Sequence, residues 1–164
     1  MTPELSRLIR LDHIGPDGLD TLVEATQEEC AALAARMRMP AILSLSCRFR
    51  LTGEGSSVYL GLGHLQARIA QTCVISLDDF ETAVDEKFRV RFVPAGEEDD
   101  DPDPDSDDEI PYQGNTIDLG EAAAEQLGLA LEPYPRKPDA ELPETDEDTP
   151  PHPFAGLGSL RRDN

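Results

Sequence analysis

The sequence predicts an α+β domain in which an antiparallel sheet or partly closed barrel packs with an N-terminal helix and a second helix from Asp118. Three observations predict it. Between Ala41 and Val93, apolar and polar residues alternate with the two-residue period of half-buried strands. Residues 19–37 and the stretch after Asp118 instead repeat their apolar residues at helical spacing. Finally, a chain of 164 residues can bury one core, hiding roughly 70% of its unfolded surface, so one domain over residues 1–164 is expected.

In residues 19–37, Leu19, Leu22, Val23, Thr26, Cys30, Leu33, Ala34 and Met37 form an apolar stripe, with Glu24, Gln27, Glu28 and Arg38 off it. Pro40 ends this predicted helix, because proline cannot continue the backbone ladder. From Ala41 to Thr52, Leu43, Leu45, Cys47, Phe49 and Leu51 alternate with Ser44, Ser46, Arg48 and Arg50. A turn over Gly53–Ser57 leads into VYLGLG, a further strand is expected from about His64 to Ile75, and another from Thr82 to Val93. In the last of these, Phe88, Val90 and Phe92 alternate with Lys87, Arg89 and Arg91. Short connections favour antiparallel pairing.

Residues 97–111 carry aspartates and prolines but no aromatic side chain to bury, and a disordered, protruding acidic loop is expected there. At Asp118 order returns. Asp118 as N-cap and Glu121 three residues later read as a capping box, with Ile117 and Ala122 at the staple positions. Leu119, Ala122, Ala123, Leu127, Ala130 and Leu131 give the helix its apolar face, and Pro133 and Pro135 set an extended exit. A mobile acidic segment over 139–151 and a short turn at Pro153–Leu160 complete the expected layout.

The net charge is −20, and the ten acids of Glu97–Glu109, with no base among them, supply half of it. Such a chain is repelled from nucleic acid on average, so any RNA contact requires a local basic surface. The acidic loop would suit a basic partner instead. No segment has the apolar run of a membrane span or a signal peptide. Three cysteines without disulfide-rich spacing read as reduced thiols of a cytoplasmic protein.

Candidate catalytic groups are sparse. His13, His64 and His152 stand apart, without ligand-pair spacing. Gly61-Leu62-Gly63 lacks the third glycine of a dinucleotide fingerprint, where Gln66 stands, and is followed by a strand rather than a helix. Asp118 and Glu121 could serve acid–base chemistry, but capping already gives them a purpose. A non-enzymatic protein without cofactor or bound metal is expected.

Basic residues form the more informative constellation. Arg48 and Arg50 lie opposite the apolar face of their strand, while Arg68, Arg89 and Arg91 occupy the less apolar parity of theirs. Antiparallel pairing can gather all five on one sheet face as a basic patch; the alternative is an ordinary solvated face partly balanced by Glu81, Asp85 and neighbouring acids. Arg136 and Lys137, held extended among prolines, are further RNA-binding candidates. Aromatic residues suited to base stacking are few, with Tyr112 and Tyr134 near irregular segments.

Three separated blocks add a resemblance: TCVISLDDFETAVDEKFRVRFVP from Thr72 to Pro94, IDLGEAAAEQLGLALEPYPRKP from Ile117 to Pro138, and HPFAGLGSL from His152 to Leu160. Together they resemble the YceD family of large ribosomal RNA subunit accumulation proteins. Asp118, Leu119, Gly120, Glu121, Leu127, Leu129, Pro133 and Pro135 match the family's recurrent positions. Some relatives carry a Cys-X-X-Cys suited to zinc, of which this chain keeps only Cys73, with Ser76 in the second place; a hydroxyl is a poor zinc ligand beside thiolate. The resemblance implies a bacterial, non-enzymatic factor supporting 23S rRNA accumulation and large-subunit assembly, with precursor rRNA or an assembly intermediate as partner. The alternative is an acidic chaperone or adaptor for a basic ribosomal protein, without direct RNA contact.

Overall fold

The computed structural model describes residues 2–100 and 103–142. Its elements are β1 (Leu8–Arg10), a single 3-10 turn (Leu11–His13), β2 (Leu19–Glu24), α1 (Gln27–Arg36), β3 (Ala41–Gly53), β4 (Tyr59–Thr72), β5 (Asp79–Pro94), β6 (Asp108–Tyr112), β7 (Thr116–Asp118) and α2 (Leu119–Ala130). Five strands form one sheet in the order β2-β3-β4-β5-β6, while β1 and β7 make a separate antiparallel ribbon. All pairings are antiparallel except β5 with β6. The sheet stays open, with β2 and β6 at its edges, so this α+β fold is a sheet and not a barrel.

Alternation sets the two faces. Leu45, Cys47, Phe49 and Leu51 of β3, Leu65, Ala67 and Ile69 of β4, and Val90 and Phe92 of β5 point inward and join Cys30, Leu33 and Ala34 of α1 and Leu119, Ala122, Ala123, Ala124 and Leu127 of α2 in one core. Gly63 matters in this layer because Phe88 lies across it: a Cβ there would stand 2.0 Å from the Phe88 ring. The ring meets Phe49 edge-on, with centroids 5.7 Å apart, a geometry favoured by the aromatic quadrupole.

Five expectations change. The helix expected over 19–37 divides into β2 and α1, with Thr26 as the true N-cap: Glu29 N–H donates to Thr26 Oγ1, and Thr26 N–H donates to Glu29 Oε2 at 2.8 Å. Leu19 and Val23 face inward equally well from a strand, so helical spacing was ambiguous over these few residues. Leu43 does not share the inward face of Leu45, because the register slips between Ile42 and Ser44. This bulge turns Ile42 inward and leaves Leu43 38% exposed.

The loop expected to protrude over 97–111 ends in a strand: β6 pairs in parallel with β5, and Ile110 and Tyr112 pack on the core. VYLGLG and the strand expected from His64 likewise merge into the single strand β4, which ends at Thr72, short of Ile75. At α2 only half of the expected capping box forms. Asp118 accepts from the N–H groups of Gly120 and Glu121, but the Glu121 carboxylate reaches Arg36 at 2.8 Å. The turn expected at Pro153–Leu160, and all of the acidic segment expected over 139–151 except 139–142, lie outside the described residues.

Candidate nucleic-acid interface

Strand register decides which basic side chains meet. On the outward face one cross-strand row reads Asp20, Arg50, Leu62, Arg89, and the next reads Leu22, Arg48, His64, Lys87. Directly opposed residues share a sheet face. Arg68 and Arg91 have the same outward parity, in the rows Ser44-Arg68-Ala83 and Thr52-Leu60-Arg91. The five strand arginines therefore do gather on one face, joined by Lys87 and His64.

Carboxylates from neighbouring elements answer most of this charge. Arg50 pairs with Asp20 on β2, Arg68 with Glu81 at 2.7 Å, Arg89 with Asp107 at 3.3 Å, and Arg91 with Glu109 at 3.2 Å and Glu54 at 3.5 Å. His64 Nε2 lies 2.8 Å from Asp85, whose carboxyl also accepts from Gln66 at 3.0 Å. The hydrogen bonds from Gln66 and His64, with a weaker Coulomb pull from Lys87, hold the Asp85 carboxyl below the usual carboxylate range. Among the described residues, Arg48 and Lys87 enter no ion pair.

A groove of about 800 Å³ runs over this face, lined among others by Arg48, Arg50, His64, Lys87, Arg89 and Asp107. Lys87 shares the parity of Arg89 and Arg91, which was the signal that could have added it to the candidates. The part played by Asp107 could not be read locally, since it depends on the chain folding back beside β5.

Arg136 and Lys137 stand elsewhere. Arg136 borders a second groove, of about 470 Å³, with Ile69, Thr82, Val84 and Ala130 on the side of the sheet that carries α2. Here the proline-set exit is tied down: Val74 N–H donates to the Pro135 carbonyl at 3.0 Å, and Lys137 N–H donates to Cys73 Sγ at 3.4 Å. Tyr134 is exposed in the same segment, whereas the Tyr112 hydroxyl donates to the Ser57 carbonyl.

Cys73 directly follows β4 and is buried. Its sulfur accepts N–H groups from Ile75, Ser76 and Lys137. Those of Ser76 and Lys137 do most to hold the thiol down to about 6. Cys47 differs, burial in the core pushing its thiol up to about 12. The donor set around Cys73 does not fit zinc: it offers one thiolate and the Ser76 hydroxyl. Among the described residues no three His, Cys, Asp or Glu side chains converge as metal ligands.

The block around α2 has mechanical work. Asp118 Oδ1 accepts from Arg7 N–H at 2.7 Å as well as capping α2, and Oδ2 accepts from the Ser6 hydroxyl at 2.6 Å. Leu119 N–H donates to the Arg7 carbonyl. Gly120 lets that segment approach, since a Cβ would stand 2.8 Å from backbone atoms of Leu5, Ser6 and Arg7. Glu121 pairs with Arg36, Leu127 is buried, Pro133 is exposed on the exit and Pro135 supplies the carbonyl held by Val74. Leu129, by contrast, is 71% exposed.

No match to the chain is found among curated proteins or solved structures. The family model described as large ribosomal RNA subunit accumulation protein YceD matches residues 62–161. That match spans more than half of the 164 residues, running from within β4 through Cys73, β5 and the Asp118 cap. With its motif residues now located at that cap and in the exit beyond it, the chain belongs to the YceD family, that of the large ribosomal RNA subunit accumulation proteins.

Proposed function

We propose that this protein supports 23S rRNA accumulation as a non-enzymatic, cytoplasmic assembly factor that touches precursor rRNA through the outward face of β3, β4 and β5. Its family is named for large-subunit ribosomal RNA accumulation. The observation supporting direct contact is the convergence of Arg48, Arg50, Arg68, Lys87, Arg89 and Arg91 on one face of a chain whose net charge is −20. Local cations beside a groove can neutralise phosphates where the whole molecule would repel them. Arg136 and Lys137 lie outside this face and are not needed for it.

One observation favours the other reading, an acidic adaptor for a basic ribosomal protein: four of the five strand arginines already hold carboxylates of their own chain. Salt separates the two. Direct phosphate contact makes RNA affinity fall steeply as salt rises, whereas an adaptor shows no specific RNA binding at any salt. Crosslinking the protein in its host and sequencing the attached RNA is the deciding experiment. Loss of 23S precursor crosslinks on charge reversal at Arg48, Arg50 and Arg89 supports direct contact, and recovery of ribosomal proteins without RNA rejects it.

A further inference from the structure

The groove over β3–β5 contains two kinds of cation. Arg50 and Arg89 are answered within the chain, by Asp20 and Asp107. Arg48 and Lys87 line the same groove without an ion pair among the described residues. They flank His64 in one cross-strand row, so their backbones stand about 10 Å apart, two interstrand spacings. Their long side chains can span two neighbouring phosphates. Arg89 is two residues along β5 from Lys87, and the pairs Arg50–Leu62 and Leu62–Arg89 continue the cationic surface into the next row.

From this arrangement we infer that the groove is a site for the sugar–phosphate backbone of single-stranded RNA. Arg48 and Lys87 make the first phosphate contacts, and a further phosphate then takes the place of Asp107 on Arg89. The inference rests on the RNA-contact reading above and gives it a mechanism. A carboxylate on a guanidinium is the in-chain equivalent of a phosphate oxygen, offering the same charge and similar geometry. The Arg89–Asp107 pair is also easily exchanged: its nitrogen–oxygen distance is 3.3 Å, the Arg89 side chain is 59% exposed, and exposed ion pairs are weak.

The shape of the site selects one strand and its backbone. Asp20 borders the groove on the β2 side and Asp107 and Asp108 on the β6 side, so the phosphates of a second strand, as in a wide A-form helix, would meet carboxylates there. Base stacking has little to work with, because the Phe88 ring is engaged with Gly63 and Phe49. The groove therefore reads phosphates with little preference for sequence.

The test uses the full chain and a fluorescent twelve-nucleotide oligouridine, with affinity measured over a range of salt. Neutralising both Arg48 and Lys87 to Gln is expected to weaken binding about tenfold or more and to flatten the log–log salt dependence by about 1.4, two phosphates at about 0.7 each on a single strand. Asp107→Asn is expected to tighten binding several-fold, because its phosphate competitor is gone. Arg136→Gln, on the other side of the sheet, should leave the affinity unchanged. Thermal melting of each variant identifies misfolding, and Asp107→Ser serves as a second neutral replacement.

Outcomes separate cleanly. Weaker binding by the Arg48/Lys87 variant together with unchanged binding by both Asp107 variants overturns the exchange at Arg89 and leaves the RNA-contact reading standing. Equal affinity for a twelve-base-pair duplex overturns the single-strand assignment. No binding of the oligonucleotide by the unaltered protein at any salt overturns both the inference and the reading beneath it.

Discussion

Ser6 and Asp118 lie 112 residues apart in sequence, yet the serine hydroxyl donates to Asp118 Oδ2 at 2.6 Å. The same carboxylate caps α2 and accepts from the Arg7 backbone. Asp118→Ala thus removes more than a cap. An isolated N-cap contributes about 1 kcal/mol, and the additional charge-assisted bonds bring the expected loss to about 2–3 kcal/mol. Urea denaturation of Asp118→Ala and Ser6→Ala checks this: the serine variant should lose only about 1 kcal/mol, the worth of one hydrogen bond.

Two glycines in α2 should respond with opposite sign to the same substitution. Gly128 is exposed and has no atom near its Cβ position, so Gly128→Ala should stabilise by about 0.5–1 kcal/mol through helix propensity. At Gly120 the new methyl would stand 2.8 Å from backbone atoms of Leu5–Arg7. Backbone cannot swing aside as a side chain can, so Gly120→Ala should destabilise by about 1–3 kcal/mol, the usual range for overpacking. Paired thermal melts provide the comparison.

Acid should loosen the start of α1 through one carboxylate. Hydrogen bonds from the Arg7 guanidinium and then from the Thr26 backbone hold Glu29 down to about 2, against an ordinary value of 4.5. Because the folded value is the lower one, this stabilisation is present in full above about pH 4.5 and is lost as the pH falls towards 2. Glu29→Gln should therefore be less stable than the unaltered protein at pH 6, with the gap closing by pH 2. Denaturation midpoints at both ends of the range measure it.

For Cys73 the corresponding window lies higher. Its thiol is held at about 6 rather than near 9, so the thiolate is the form that the N–H groups of Ser76, Lys137 and Ile75 favour. Stability from this source is fullest above pH 9 and declines as the pH falls through 6. Ultraviolet thiolate absorbance should titrate with a midpoint near 6, and the stability advantage over Cys73→Ala should grow from pH 6 to pH 9. A midpoint near 9 would contradict the three-donor arrangement.

How far the fold was legible depended on whether the governing contact was local. Alternation through Phe49 and Phe92 identified β3 and β5 because the core they face selects every second residue. The cap at Asp118 was equally local. By contrast, β2 was hidden because Leu19 and Val23 fit both a strand and a helix, although Thr26 and Glu29 already carried the capping-box spacing. Acidic composition concealed β6: Glu109 is stabilised there by Arg91 and Ile110 by the core, partners supplied only after β5 is in position. At the candidate interface, parity correctly joined Arg48 to Arg89. It could not show that Asp107 would hold Arg89, or that the exit carrying Lys137 would turn back to Cys73.

The ribbon of β1 and β7, with register Leu8↔Asp118 to Arg10↔Thr116, has a consequence for synthesis. A chain made from its N-terminus displays residues 5–10 first but supplies their partners only after β2 to β6 have been translated. The first strand to be made is thus among the last to find its place, and closure over so long a loop is slow relative to local pairing. During that interval Leu5, fully buried at the end, remains uncovered while the sheet can already assemble. Pulse-labelling hydrogen exchange should find the amides of β3 and β4 protected before those of Ile9 and Leu119: the clasp closes as the final event of maturation.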